Sequence, residues 1–444
     1  MPLRVWKTSA PEFRESFSSL RRRLSLSEGL RAAGESAKEP PLEAVRRMID
    51  DVRARGDAAL LDYTKKFDRC TLTADRLRVS TDEIARAVAR CPADLLDALK
   101  LSALRICSFQ ESILLRDPEP LTFAGRTIGV RYRPVDSAGI YVPGGKTSLA
   151  STVLMAAVPA RVAGVARVVM ATPPGPDGTV SDDRLAAAHV AGVDEVYRIG
   201  SAWAIAALAY GTQSVAAVDM VAGPGNIYVT LAKKEVFGQV GIEMLPGPSE
   251  IVVIADASAD AAFVAADMLS QAEHDPGSAI LLTNDAPLAE AVLTALEEQL
   301  ASLPRSKQAR TCLEEYGAVI VAGSLAECAD LVNELAPEHL ELMTQDADRL
   351  SQRIRHAGAI FLGLWSPEPV GDYMAGPSHI LPTAGTARFS SGLSANDFLK
   401  RSSIIRYERN ALVEDARAIE TIARAEGLEG HARAVEVRTR RTPP

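Results

Sequence analysis

Glu338 and His339 are adjacent ionisable residues inside Glu334-Leu-Ala-Pro-Glu-His-Leu-Glu-Leu342. Imidazole titrates near neutral pH and a shielded carboxylate can be tuned upward, so such a pair can share general acid–base work. Pro337 disfavours helix in the residue before it. The pair is therefore expected where a helix gives way to a strand, at the rim of a sheet. Gln271 and His274 are three residues apart. On a helix, Q-x-x-H puts an amide oxygen and an imidazole on one face, a spacing that can chelate a metal. Asp372, in Val370-Gly-Asp-Tyr-Met-Ala-Gly-Pro377, is expected in a loop just past a strand, and His431 closes Glu426-Gly-Leu-Glu-Gly-His431. Oxygen and nitrogen donors without thiolate suit zinc or manganese in a site open to substrate. Ser249, in Gly247-Pro-Ser-Glu250, could present a hydroxyl before a strand. Gly223-Pro-Gly-Asn226 would open backbone amides to an anion at a helix N-terminus. Taken singly, each of these also suits a plain loop or tight turn. His189 inside a helix and His356 at a helix end need no chemical role.

The elements that must position these groups follow from hydrophobic periodicity. From Pro41 to about Leu115 apolar residues recur at helical spacing, as in Val45, Met48, Ile49 and Val52. Past Thr122 short strands lead into Ser137-Ala-Gly-Ile-Tyr-Val-Pro-Gly-Gly145. Strand and helix then alternate twice. The first block includes helices at 149–163, 182–190, 201–210 and 227–237, and the second includes strands at 250–255, 278–283, 318–321, 339–343 and 359–362. Alternation at this spacing signals parallel βαβ units. The expected fold is α/β, with two tandem incomplete Rossmann-like domains. Residues 1–40 form a peripheral arm. Residues 41–139 and 251–390 form a discontinuous domain carrying the metal and catalytic residues, and 140–250 an inserted cofactor domain. Residues 391–444, with a helix from Asn410, form a tail expected to pack on a partner subunit.

Composition bounds the function. The 444-residue chain carries a formal net charge of −8, which makes no electrostatic case for nucleic acid or an anionic membrane. Apolar runs long enough to span a bilayer, about 18 residues, are absent from the sequence. The five cysteines are scattered and form no C-x-x-C pair, which points to a reducing, cytoplasmic setting. Gly139 to Thr147 looks like a phosphate-binding loop, but Ile140 stands where the Walker pattern needs glycine. No G-x-G-x-x-G follows any expected strand.

In order along the chain, YVPGG, PARVAGV, GPGNIYV, GPSE, QAEHDPGS, NELAPEHLEL, GDYMAGPSHILPT, SGLSANDFLKR and AEGLEGHA resemble the histidinol dehydrogenase family. The resemblance implies oxidation of L-histidinol through the aldehyde to L-histidine with NAD and one zinc ion per active site. It implies that Glu338 and His339 are proton acceptors and that Gln271, His274, Asp372 and His431 bind zinc. Ser249 and Glu426 would hold the substrate alongside His339 and the ligands, and Tyr141 and Asn226 would contact NAD. It further implies an intertwined homodimer in which the tail, with Glu426 and His431, completes the neighbouring site. One departure stands out. The family usually has Gly-Gly-Ala-Gln-Ala-Ile where this chain reads Gly200-Ser-Ala-Trp-Ala-Ile205, so Trp203 replaces a glutamine that contacts NAD. Glu243 and Ser378 are milder changes, where the family often has Asp and Asn. A paralogous zinc- and NAD-dependent dehydrogenase for another small polar alcohol or diol is the alternative reading.

Overall fold

Parallel strands in two sheets organise residues 1–113 and 135–398, which form one compact unit. The computed structural model describes residues 3–25, 39–144, 149–274 and 277–440. Lys146 and Thr147 of the loop weighed as a phosphate site lie outside them. The larger sheet contains β1 (Arg4–Lys7), β9 (Ser249–Ala255), β10 (Gly277–Thr283), β11 (Ala318–Val321), β12 (His339–Met343) and β13 (Ala359–Leu362), in the order β1-β11-β10-β9-β12-β13. Its central strands are buried on both faces, and Ile251 to Ala255 are each at most 2% exposed. That explains their continuous apolar run, since helices cover both sides of a parallel sheet.

The smaller sheet has β4 (Ser137–Tyr141), β5 (Arg167–Thr172), β6 (Glu195–Arg198), β7 (Met220–Ala222) and β8 (Gly241–Ile242), in the order β6-β5-β4-β7-β8. Strand order reverses between β4 and β7, which makes a topological switch point where open α/β sheets bind ligands at their strands' carboxyl ends. Among the described residues every pairing in these two sheets is parallel, and no helix is long and apolar enough to cross a membrane.

Three expected boundaries are corrected. The first 40 residues are not wholly a peripheral arm. Arg4–Lys7 pairs with β11, and the helix Phe13–Arg23 buries Phe13, Phe17 and Leu20 in the core beneath β9, β10 and β12. Each such apolar side chain contributes about 1.5–3 kcal/mol on burial, enough to fasten the segment. Residues 26–38 lie outside the description. The helices from Pro41 belong with the smaller sheet, because Val45, Met48, Ile49, Val52 and Leu60 share one core with Trp203, Leu208 and Val221. The tail begins later than expected, because residues 391–398 belong to the first unit.

Leu114–Pro134 and Leu399–Pro444 form a second unit. Its three-stranded antiparallel sheet runs β14 (Leu399–Tyr407), β3 (Arg126–Pro134) and β2 (Leu121–Phe123). The helices Arg409–Ala425 and Glu429–Arg440 follow. Two segments far apart in sequence thus supply what the tail is too short to build alone.

Candidate active site

The helix Leu325–Leu335 ends at Ala336, whose φ of 53° is left-handed, and β12 opens at His339. The expected helix-to-strand change at Pro337 is therefore where the chemistry sits. Successive strand residues point to opposite faces. His339 and Glu341 share the face that packs on the helix Ala261–Ala272, while Leu340 and Leu342 enter the opposite core. Both Glu338 and His339 are buried.

His339 Nδ1 lies 3.0 Å from Glu250 O. A carbonyl only accepts, so Nδ1 carries the hydrogen and Nε2 keeps its lone pair. Burial lowers the imidazole pKa to about 4, against the raising charge of Asp372, so the ring is neutral and available as a base. Glu338 Oε2 accepts from Glu250 N at 2.9 Å. Burial pushes the Glu338 carboxyl well above the ordinary range, and the charges of Glu250, Asp372 and Glu368 push the same way. Glu250 is itself raised to about 8 by burial, although Ala384 N donates to its Oε1 at 3.0 Å.

Asp372 is on a short helix, Glu368–Tyr373, rather than in a loop. Pro367 and Pro369 suit that helix's first turn. Burial alone would raise its carboxyl, but the nearby His379 imidazole holds it at about 2. His379 Nδ1 stands 3.5 Å from Asp372 Oδ1, and its Nε2 is 3.2 Å from Thr152 Oγ1. Donor atoms of His339, Glu368 and Asp372 lie within 4.8 Å of one another. His339 Nε2 is 3.8 Å from Glu368 Oε1. Burial, then the charge of Asp372, raise Glu368 to about 8.

Gln271 is almost fully buried at the end of the helix Ala261–Ala272, with Oε1 lacking a hydrogen-bond partner. His274 follows on the exposed side; its partial loss of hydration lowers its pKa, against the raising charge of Asp372. A Cβ on Gly277 would meet Gln271 O at 2.3 Å and His274 Cβ at 3.2 Å, so only glycine lets β10 start this close. Ser249 is the register partner of Gly277 across β9 and β10.

Gln271, His274, Asp372, Glu338, His339 and Ser249 are therefore gathered at one rim of the larger sheet. Glu426, which ends the helix Arg409–Ala425, and His431, in the first turn of the last helix, are exposed in the second unit and are not among them. Sequence reasoning missed Glu250, Glu341 and Glu368, and placed His379 at an element end or loop without giving it a role. Glu341 is raised to about 9 by burial and by the charge of Asp267. An acid inside an otherwise apolar strand was the available signal for Glu250 and Glu341. Glu368 had none.

A second cavity, of about 320 Å³, opens at the carboxyl ends of β4 to β7. Tyr141, Ser201 and Asn226 line it with the 173–175 turn. Tyr141 Oη accepts from Ser201 N at 2.9 Å. Asn226 Oδ1 caps the helix Ile227–Val236 through Tyr228 N and Val229 N, which leaves its amide hydrogens for a ligand. Trp203 is not on this wall. It is 3% exposed and stacks on Tyr63 and Phe67, so its place among the cofactor contacts is corrected.

The Asn226 turn is held from beneath. Lys233 Nζ binds Glu243 Oε1 at 2.6 Å and Gly223 O at 3.0 Å, while Gly223 N donates to the same carboxylate at 2.7 Å. Both charged side chains are fully buried. Removing one partner of such a pair strands a charge and costs about 3–5 kcal/mol. Lys233→Met is expected to lose that much in urea unfolding, and a Lys233→Met/Glu243→Leu double variant to recover most of it. A loss below about 1 kcal/mol for the single variant would contradict the assignment.

The sequence profile described as "Histidinol dehydrogenase" matches residues 32–439. The chain is 49% identical over 432 residues to the histidinol dehydrogenase of Gluconobacter oxydans (strain 621H), covering 97% of this chain and 98% of that one. The chain belongs to the histidinol dehydrogenase family. The enzyme of a Synechococcus strain is 51% identical over 396 residues, covering 89% of this chain and 91% of its own. A solved histidinol dehydrogenase from Elizabethkingia anophelis superposes with a TM-score of 0.91 at 36% identity, covering 98% of each chain. Membership makes the rim at β12 the candidate active site of a dehydrogenase, and its neutral imidazole and high-pKa carboxyl are the base chemistry that oxidising an alcohol demands.

Proposed function

We propose that this chain oxidises L-histidinol through L-histidinaldehyde to L-histidine, the last steps of histidine biosynthesis, with two NAD+ and one zinc ion per active site. The observation that carries the reading is the neutral His339, with Nε2 as its lone pair, next to the high-pKa carboxyl of Glu338 at one rim. Zinc fits the donor set: Asp372 is held ionised and Gln271 offers a buried oxygen with no partner. Gln271, His274 and Asp372 would hold it, with His431 of a second copy as the fourth ligand. Zinc, when bound, would orient the substrate's imidazole and amine, and NAD+ would accept a hydride in each oxidation.

The remaining chemistry belongs to the chain. His339 Nε2 takes the alcohol proton as hydride leaves the carbon. Glu338 takes a proton from water that adds to the aldehyde. His339 then takes the hydrate's proton in the second oxidation. A carboxyl with so high a pKa is a strong base once ionised. Glu426 and His431 are supplied by the partner of an intertwined homodimer, and Ser249 and Glu426 hold the substrate. Tyr141 and Asn226 contact NAD. A cytoplasmic location agrees with five scattered cysteines that form no C-x-x-C pair. The alternative, a paralogue for another polar alcohol or diol, rested on Trp203, which is packed away from the cavity.

Two NADH per L-histidinol are expected, lost on chelation and regained with zinc. Turnover of a diol panel in preference to histidinol would overturn the substrate, and activity unchanged by a chelator would overturn the metal.

A further inference from the structure

Trp203, displaced from the cofactor wall, supports a different residue. Tyr63 and Phe67 lie over its indole with ring centroids 5.7 and 5.5 Å away. These rings belong to a single π-helical turn, Thr64–Asp68, and to the residue before it. Isolated π turns occur often at functional sites. Arg69 ends the turn at φ 56°, a left-handed conformation uncommon outside glycine. The outcome is that Asp68 stands in the wall of the 320 Å³ cavity with Tyr141, Ser201 and Asn226.

Asp68 Oδ2 is buried there without a hydrogen-bond partner. Burial pushes its carboxyl up to about 7. Leaving a buried acceptor unpaired costs about 1–3 kcal/mol, and more when it is charged. A ligand that donates hydrogen bonds would offset that cost.

The cavity's place says which ligand. In dinucleotide folds an acid past the first glycine turn takes the ribose hydroxyls. Here the loop after β5 puts Pro173, Pro174 and Gly175 on the wall. Its own acid, Asp177, accepts from Thr179 N at 3.0 Å and Thr179 Oγ1 at 2.9 Å, so it is committed to its loop. The cavity is therefore left with Asp68, brought in from a distant segment. A carboxylate accepts both hydroxyls of a vicinal diol, and it repels a phosphate placed on one of them.

We propose that Asp68 accepts the adenosine ribose hydroxyls of the dinucleotide and so selects NAD+ over NADP+. This rests on the NAD use proposed above. Arg184 lines the same cavity, so phosphate becomes better tolerated once residue 68 is neutral.

The test is equilibrium binding of NAD+ and of NADP+ to the full chain by titration calorimetry, with no turnover involved. The wild type is expected to prefer NAD+. Asp68→Asn, the same shape without the charge, is expected to weaken NAD+ by about 10- to 100-fold, the worth of hydrogen bonds to a charged group, and to bind NADP+ no worse. If Asp68→Asn does not fold, Asp68→Glu replaces it and is expected to exclude NADP+ still while holding NAD+ more weakly. An unchanged NAD+ to NADP+ ratio in whichever variant folds, including an equal loss of both, overturns the role of Asp68 and leaves NAD use standing. A wild type that binds neither dinucleotide overturns NAD use, and the role of Asp68 with it.

Discussion

His339→Asn is expected to lose about 10²- to 10⁴-fold in oxidation of both L-histidinol and supplied L-histidinaldehyde, the range for removing a general base. The reason is geometric. The Glu250 carbonyl fixes the hydrogen on Nδ1, so Nε2 is the acceptor, and burial keeps the ring neutral. Both oxidations remove a proton from an oxygen on the same carbon, so one base serves both. Asparagine can still donate to Glu250 O, which protects the fold while removing the base. Pre-steady-state NADH formation from each substrate measures the two steps apart. If only one of them slowed, His339 would not be the shared base.

Glu338→Gln is expected to divide the reaction. Formation of the first NADH from L-histidinol should fall little, whereas conversion of L-histidinaldehyde to acid should fall by about 10²- to 10⁴-fold. Glutamine keeps an oxygen for the Glu250 N–H at the position where Glu338 Oε2 accepts it, so the loss would reflect the missing base and not a collapsed site. Aldehyde should accumulate and be trappable. Unchanged acid formation together with slower alcohol oxidation would show that Glu338 does not activate water.

Most of the element pattern could be read along the chain. The helices Asp182–Val190 and Ser201–Tyr210 and the strands β11, β12 and β13 fall where hydrophobic period places them. Local signals fail where partners are distant. Short strands were legible past Thr122, but β14 and its pairing with β3 went unread because 126–134 and 399–407 complete each other across more than 250 residues. Arg4–Lys7 reads as a polar arm because an edge strand alternates exposed residues with partly buried ones.

The candidate site divides in the same way. Residue type and spacing singled out Glu338, His339, Gln271 and His274 as candidates, because a proline boundary and a helical i,i+3 spacing are local facts, and the family resemblance gave them and Asp372 their roles. Protonation was beyond the sequence's reach. That His339 is neutral with its hydrogen on Nδ1, that Glu338 is a weak acid and that Asp372 is a strong one depend on burial and on neighbours up to 89 residues away, as between Glu250 and His339. The exchange of glutamine for Trp203 reads along the chain as a change at the cofactor, and in three dimensions it becomes the floor beneath Asp68. The sequence by itself determined which chemical groups are present and the order of the elements that carry them. Only the tertiary structure decided their charge and their company, because desolvation and hydrogen bonding act through space.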